Sequence, residues 1–563
     1  DRTGYGVRAG HRIGYWMGLG LAHSRKHNKI IALQQSECGR AQRQTGKERR
    51  MKLIGSKSCE SVAAAIVLAT LTVCALSQDT SPGSQTPAPQ EQKETRLTPD
   101  QAKELFRSLN QILTFASDDT QLQIHHEVKK RLITREQVQK YVLEKFHDAK
   151  DVKRMQQEEI VLKKFGLLDR DFQLQPFLVS LLTEQIAGYY DNKTKTVNLL
   201  DWVSPEEQKP VMAHELTHAL QDQHTDLEKW EPEDPNTVSK NVTEDNQRLE
   251  IDERDTARDA VLEGQAMAVY LDYTLKPAGK SLLTSPDVMR TPKEDTDTSD
   301  SSPVMARAPL LLQQSLLFPY RDGLGFEQRL LKDKGPQYAF AGVLDRPPST
   351  SYEIMNPRAY EHGAIVPLLR MPDVHGLLEA DYQPYDIGVM GELDVRILTE
   401  LFGGPQEAAM LTPQWKGGLY YAVQSRKART PEEQAATSSV ALLYLSAWRT
   451  EAAATEFAKL YGRELSKKYS GVVRDPASES TAAEQVYNAS EGPVLIVRQG
   501  NQVFVSESFD LTLARKLQFL LFGAQQNEET QQAAHAAPPA DELTTRLTRM
   551  MAGYGLMKAS LLH

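Results

Sequence analysis

His214-Glu215-Leu216-Thr217-His218 sets two imidazoles four residues apart, with a carboxylate beside the first. Residues four apart share one face of a helix, so His214 and His218 can ligate one Zn²⁺ from a single rigid element. Glu215 projects beside the ion rather than onto it, the place of a general base that takes a proton from an activated water. With 13 histidines in 563 residues, such a pattern arises by chance on the order of 0.02 times per chain. The chemistry expected is zinc-dependent hydrolysis of a peptide bond.

A catalytic zinc needs a third protein ligand and an open position, and two residues compete for that role. His224 would complete HExxHxxxxxH, but returning to the metal takes a left-handed turn, and Gln221 stands where Gly would make it. Ala219, Leu220, Gln221 and Asp222 favour continued helix, which carries His224 about 120° round from His218. Glu263 is the alternative. It lies on a second long helix among Ala260, Val261, Leu262, Ala266 and Met267, where a carboxylate needs a partner and a metal is a good one. Gly264 beside it would permit close helix packing. Asp222, eight residues after His214, is a candidate to orient a ligand histidine.

The elements that must position these groups follow from capping and periodicity. Ser204-Pro205-Glu206-Glu207 opens the HExxH helix, which runs through His224. Ahead of it, Tyr189-Tyr190 and Thr196 to Leu200 flank the turn-forming Asp191-Asn192 and predict a β-hairpin. Helices are expected at 99–116, at 135–148 behind a Thr134…Gln137 capping box, at 151–166, at 248–275, at 310–331 and at 389–401. A polar break spans 284–309. In the last third, strands at 438–445 and in VLIVRQGNQVFV, turning at Gly500-Asn501, alternate with helices near 450–467 and 511–522. The fold class expected is α+β: a helical region at 98–175, a helix-rich zincin-like core with a small hairpin sheet at 176–370, an α+β region at 371–526, and a loose tail at 527–563.

The N-terminal part reads differently. Met51, Lys52 and Lys57 precede the apolar stretch Val62 to Leu76, and Ala75-Leu76-Ser77 supplies small residues for a signal peptidase. Residues 51–77 are therefore expected to be a signal peptide cleaved before Gln78, with export to the periplasm or the outside. The apolar run is too short to span a bilayer, so no membrane span is expected in the mature chain. Residues 1–50 do not open on Met, carry 11 basic and 3 acidic residues, and are expected to be upstream sequence. Residues 78–97 have the composition of a disordered linker. Cys38, Cys59 and Cys74 all precede the cleavage point, so the mature chain would hold no disulfide. The formal charge is −9 despite that basic start. An acidic body argues against nucleic acid as partner and leaves a peptide or protein substrate. Nothing in the composition sets an oligomeric state.

On these residues the chain resembles the gluzincins, zinc peptidases of thermolysin-like type with HExxH on one helix and Glu on the next. More closely it resembles a group of exported bacterial and archaeal proteins read as metallopeptidases. The likeness rests on AGYYDNKTKTVNLLDW, HELTHALQDQH, AVLEGQAMAVYLDY, FPYRDGLGF and PPSTSYEIMNPRAY. It implies His214, His218 and Glu263 as ligands of one Zn²⁺ and Glu215 as base. It also implies a hairpin strand pairing with the extended substrate, through Tyr189, Tyr190, Val197 or Asn198. Two departures stand out. Met267 replaces the Asp that usually follows a thermolysin-like Glu by four. Asn356 precedes Pro357 where the closer group often has His, so an oxyanion donor would be Asn356, or Tyr360 or His362 nearby. Two rival functions are a zinc-stabilised scaffold or binding protein without catalysis, and a zinc hydrolase of non-protein amides.

Overall fold

Thr98 opens the first helix, α1 (Pro99–Thr120), by accepting the Gln101 N–H while the Gln101 side chain takes the Thr98 N–H. Pro99 sits in the first turn, where no N–H is needed. Thr134 and Gln137 repeat this reciprocal cap at the start of α2 (Arg135–Lys145). The computed structural model describes residues 96–145, 149–230, 241–285, 303–476, 483–525 and 531–532. The expected upstream segment, the signal peptide, the linker as far as 95, most of the 284–309 break and the 527–563 tail apart from 531–532 lie outside the described residues.

The region 98–175 is not purely helical. Lys129–Ile133 forms strand β1 ahead of α2, α3 spans Ala149–Phe165, and residue 175 falls inside α4 (Leu174–Gln185). β1 is exposed over its first three residues, so it lacks the alternation that marks a half-buried strand. It pairs in parallel with β3 (Thr196–Leu200), which also pairs antiparallel with β2 (Gly188–Asp191). The sheet order is β1-β3-β2. The predicted hairpin is present, but both edges of β3 are occupied.

The HExxH helix is α5 (Pro205–Thr225), where the Ser204 hydroxyl accepts the Glu207 N–H at 3.3 Å. The helix expected over 248–275 is two helices, α6 (Val242–Leu249) and α7 (Arg254–Leu275), with turns between them. α8 (Leu310–Lys334) packs on α7 at a glycine seam. A Cβ on Gly264 would strike the Gly323 backbone, and one on Gly323 would strike the Ala260 backbone. Only hydrogen fits at either position, so the two main chains touch.

Short helices α9 (Ser351–Met355) and α10 (Pro357–Glu361) lead to strand β4 (Tyr382–Val389), so the helix expected from 389 begins later, as α11 (Glu392–Gly403). Strands β5 (Trp415–Ser425) and β6 (Val440–Trp448) precede α12 (Glu451–Lys468), then come β7 (Val473–Arg474), β8 (Glu484–Ala489), β9 (Gly492–Gln499), β10 (Gln502–Glu507) and α13 (Leu511–Ala524). They form one antiparallel sheet in the order β4-β5-β6-β10-β9-β8-β7, with the β9–β10 turn at Gly500-Asn501 as predicted. The chain is α+β. Among the described residues no helix is long and apolar enough to cross a membrane.

The expected regions are welded together. Phe165 of α3 packs edge-on against Tyr420 and Tyr444 of the large sheet, and Lys164 Nζ donates to Glu491 Oε2 at 2.8 Å and Ser508 Oγ at 2.7 Å. All the described residues fall in one compact unit. The start of α7 is pinned from the C-terminal side: Asp252 Oδ2 accepts the Val389 N–H at 2.7 Å, and Glu253 Oε1 accepts the Ser351 N–H at 3.2 Å. The last third of the chain therefore anchors the helix that bears Glu263.

That anchor is sensitive to pH. Burial pushes Glu253 up to about 7 against the Ser351 hydrogen bonds, and pushes Glu392 up to about 7 against the Asn356 amide. Both carboxyls bind a proton more tightly folded than unfolded, where about 4.3 is normal. The stability they contribute is full below that value and is lost as pH rises through 7, on the order of a few kcal/mol. The urea midpoint is expected to fall between about pH 5 and pH 8, and Glu253→Gln should flatten part of that slope. A midpoint that climbs over the interval contradicts the assignment.

Candidate metal centre

The 3.6-residue turn of α5 brings His214 and His218 to one face, with rings nearly perpendicular and Nε2 atoms 3.1 Å apart. α7 crosses that face and delivers Glu263, whose Oε2 lies 3.1 Å from His214 Nε2 and 3.7 Å from His218 Nε2. The three donor atoms lie within 4.8 Å of one another. Two donors each about 2.1 Å from one ion at a tetrahedral angle are about 3.4 Å apart, so the set fits a single zinc in three-coordinate protein ligation. All three side chains are at most 1% exposed. Burial pushes the His218 imidazole below its ordinary pKa, with Glu263 opposing, and neutral imidazole is the ligating form.

Glu215, also fully buried, points to the small sheet, where its Oε2 accepts the Tyr190 N–H at 2.8 Å. The Tyr190 hydroxyl donates to Asp222 Oδ2 at 2.6 Å, and Lys195 Nζ reaches the same oxygen at 2.7 Å. Asp222 Oδ1 accepts the Leu227 N–H. Asp222 therefore holds β2 and the exit of α5, and does not orient a histidine. The side chain at hydrogen-bond distance from a histidine of the cluster is Gln221, one turn after His218, with Oε1 2.8 Å from His218 Nδ1.

His224 is not brought to the cluster of His214, His218 and Glu263. α5 continues through Gln221 to Thr225 and stops at Asp226, whose φ of 54° is left-handed. His224 Nε2 pairs with Asp345 Oδ1 at 3.0 Å.

The substrate-strand candidates divide. Val197 and Asn198 lie in β3, enclosed between β1 and β2, and have no edge left to offer. Tyr189 and Tyr190 lie in β2, whose outer edge faces α5 through the Tyr190 amide. The Tyr189 ring stacks on Tyr141 with centroids 4.8 Å apart.

The oxyanion candidates are engaged elsewhere. Asn356 Nδ2 donates to Glu392 Oε2 at 2.6 Å, the Tyr360 hydroxyl donates to Arg346 O at 2.6 Å, and His362 Nδ1 meets Arg358 O. Asn356 and His362 flank α10 and Tyr360 lies within it, and the Asn356 amide reaches Glu392 of α11, so the residue before Pro357 faces the C-terminal anchor. The hydroxyl at the centre belongs to Tyr320 of α8, within the stretch FPYRDGLGF. It hydrogen-bonds the Glu263 carboxylate, and its ring lies 20° from parallel to His214 at 6.3 Å. Burial, and then the Glu263 charge, holds Tyr320 well above the ordinary phenol pKa, which keeps the proton on a donor. Tyr320 supplies the partner for Glu263 that Met267 does not. Comparison with family models, curated protein sequences and solved structures gave no match.

Proposed function

We propose that the chain is a zinc-dependent metallopeptidase of gluzincin type, exported and acting on peptide or protein substrates. The observation that carries this reading is the convergence of His214, His218 and Glu263 with Glu215 beside them and outside the donor set. Zn²⁺ held by those three residues would supply an electrophile for the scissile carbonyl and a water acidified towards neutrality. Glu215, fixed by the Tyr190 N–H, takes the proton of the attacking water at its carboxylate and delivers it to the leaving nitrogen. The Tyr320 hydroxyl, which donates to Glu263 here, would turn its one hydrogen from that carboxylate to the oxygen that gains charge. β2 is held between β3 and α5 and seats the base through the Tyr190 N–H, so an extended substrate reaches Glu215 without adding a strand to that edge.

Metal analysis of the purified chain, together with cleavage of a peptide library, tests the proposal; one zinc per chain with no cleavage by any preparation would refute the enzyme. Tyr320→Phe removes a donor without changing shape. It should keep zinc and lower kcat by roughly 10²-fold with little change in KM. Equal kcat in the variant would remove Tyr320 from the chemistry. Export predicts that the protein recovered outside the cytoplasm starts Gln78-Asp79-Thr80.

The near-complete burial of His214, Glu215, His218 and Glu263 favours a second reading, a zinc that stabilises a scaffold. In that case Glu215 does no work, and its replacement changes neither metal content nor any activity.

A further inference from the structure

Gln221 and Gln265 join the donor set to a distant turn through buried amides whose direction can be read without choice. Gln265 Nε2 lies 2.9 Å from Ala339 O and 3.1 Å from Phe340 O, in the π-helical turn Tyr338–Gly342. Carbonyl oxygens only accept, so the amide NH₂ of Gln265 must face them. Its Oε1 then faces Gln221 and must receive the Gln221 NH₂, at 2.8 Å. The same NH₂ reaches Leu262 O at 3.1 Å, which again excludes the flipped amide. Gln221 Oε1 is left towards His218 Nδ1, at 2.8 Å, and it can only accept.

We infer that Gln221 and Gln265 are positioning residues that fix His218 as its Nδ1–H tautomer, so that the Nε2 lone pair points at Glu263 and His214 before any metal arrives. This rests on reading His214, His218 and Glu263 as ligands. The chain of constraint starts at backbone carbonyls, which cannot reorient, and passes through two fully buried side chains that water cannot reach to offer an alternative partner. His214 is treated differently: its buried Nδ1 has no hydrogen-bond partner among the described residues. The relay presets one imidazole of the pair. It also ties α5 to α7 at Leu262, the residue before the ligand Glu263, so orienting the histidine and placing the carboxylate are one operation.

The test uses the full chain, metal-free, with ¹⁵N-labelled histidine. The wild type should give one imidazole in the Nδ1–H form that disappears in His218→Gln. Gln221→Leu removes the acceptor. It should convert that signal to the Nε2–H form or an exchange mixture and weaken Zn²⁺ binding about 10- to 100-fold, the usual cost of losing such a partner. Gln221→Glu, as a neutral acid, keeps an acceptor for His218 and a donor for Gln265, and should restore both the signal and most of the affinity. Gln265→Leu, which leaves the His218 contact in place, should show a smaller loss and serves if Gln221→Leu does not fold. Wild-type His218 in the Nε2–H form, or a tautomer and zinc affinity that Gln221→Leu does not move, would overturn the inference. A wild type with Nδ1–H that binds no Zn²⁺ would instead defeat the metal reading and leave the relay standing.

Discussion

Glu215→Gln is expected to retain one Zn²⁺ per chain and to lose peptide hydrolysis by at least roughly 10²- to 10⁴-fold. The glutamate lies outside the three convergent donors, so its charge is not needed to hold the ion. An amide oxygen can still accept the Tyr190 N–H that the carboxylate accepts now, so β2 should remain seated on α5. What the amide cannot do is take a proton from water. Metal content by elemental analysis and kcat/KM on a cleaved peptide check the two halves separately. Undiminished turnover would sink the base; lost zinc would show that Glu215 ligates.

Glu263→Ala should weaken zinc retention far beyond the about 10- to 100-fold that loss of an outer partner costs. It removes one of three ligands, and it strips the Tyr320 phenol and both imidazoles of the carboxylate they surround. His224→Ala should leave zinc content near normal and cost only a partly exposed contact with Asp345. Chelator competition on the two variants separates the arrangements. Metal loss in His224→Ala with retention in Glu263→Ala would reverse the ligand assignment.

Much of this site was legible from residue types because its geometry is local. Four-residue spacing on one helix places His214 and His218, and the absence of Gly at 221 keeps His224 turned away. Glu263 is legible because a carboxylate set among Ala260, Val261, Leu262, Ala266 and Met267 is conspicuous. The capping pairs Thr98 with Gln101 and Thr134 with Gln137 marked helix starts for the same reason, since each is complete within four residues.

What escaped is non-local. β1 is charged along most of its length and becomes a strand only through its partner β3, so the enclosure of Val197 and Asn198 had no signature of its own. Tyr320 reaches Glu263 because α8 crosses α7, and no periodicity in α8 announces which turn meets which. The direction of Asn356 has no sequence signature, because a loop beside Pro357 can face any neighbour, and its neighbour is Glu392 of the anchor. In the sequence Gln221 shows only what it prevents, a turn, and not the amide oxygen it offers to His218.

The glycine seam bears on how the protein tolerates change over generations. Gly264 follows Glu263 directly, and Gly323 lies three residues after Tyr320, so the close approach of the two main chains sits beside both side chains of the proposed site. A methyl group at either position must part the helices, and parting them moves the carboxylate away from the imidazoles and the phenol away from the carboxylate. In a saturation mutagenesis scored by activity, these two glycines, which carry no chemistry, should be as intolerant as the histidines, while Gly325 of the same helix, where an added Cβ meets nothing within 4 Å, should accept a side chain. Substitution records in descendants of this chain would then trace the fixed distance between two helices as clearly as they trace the proposed ligands.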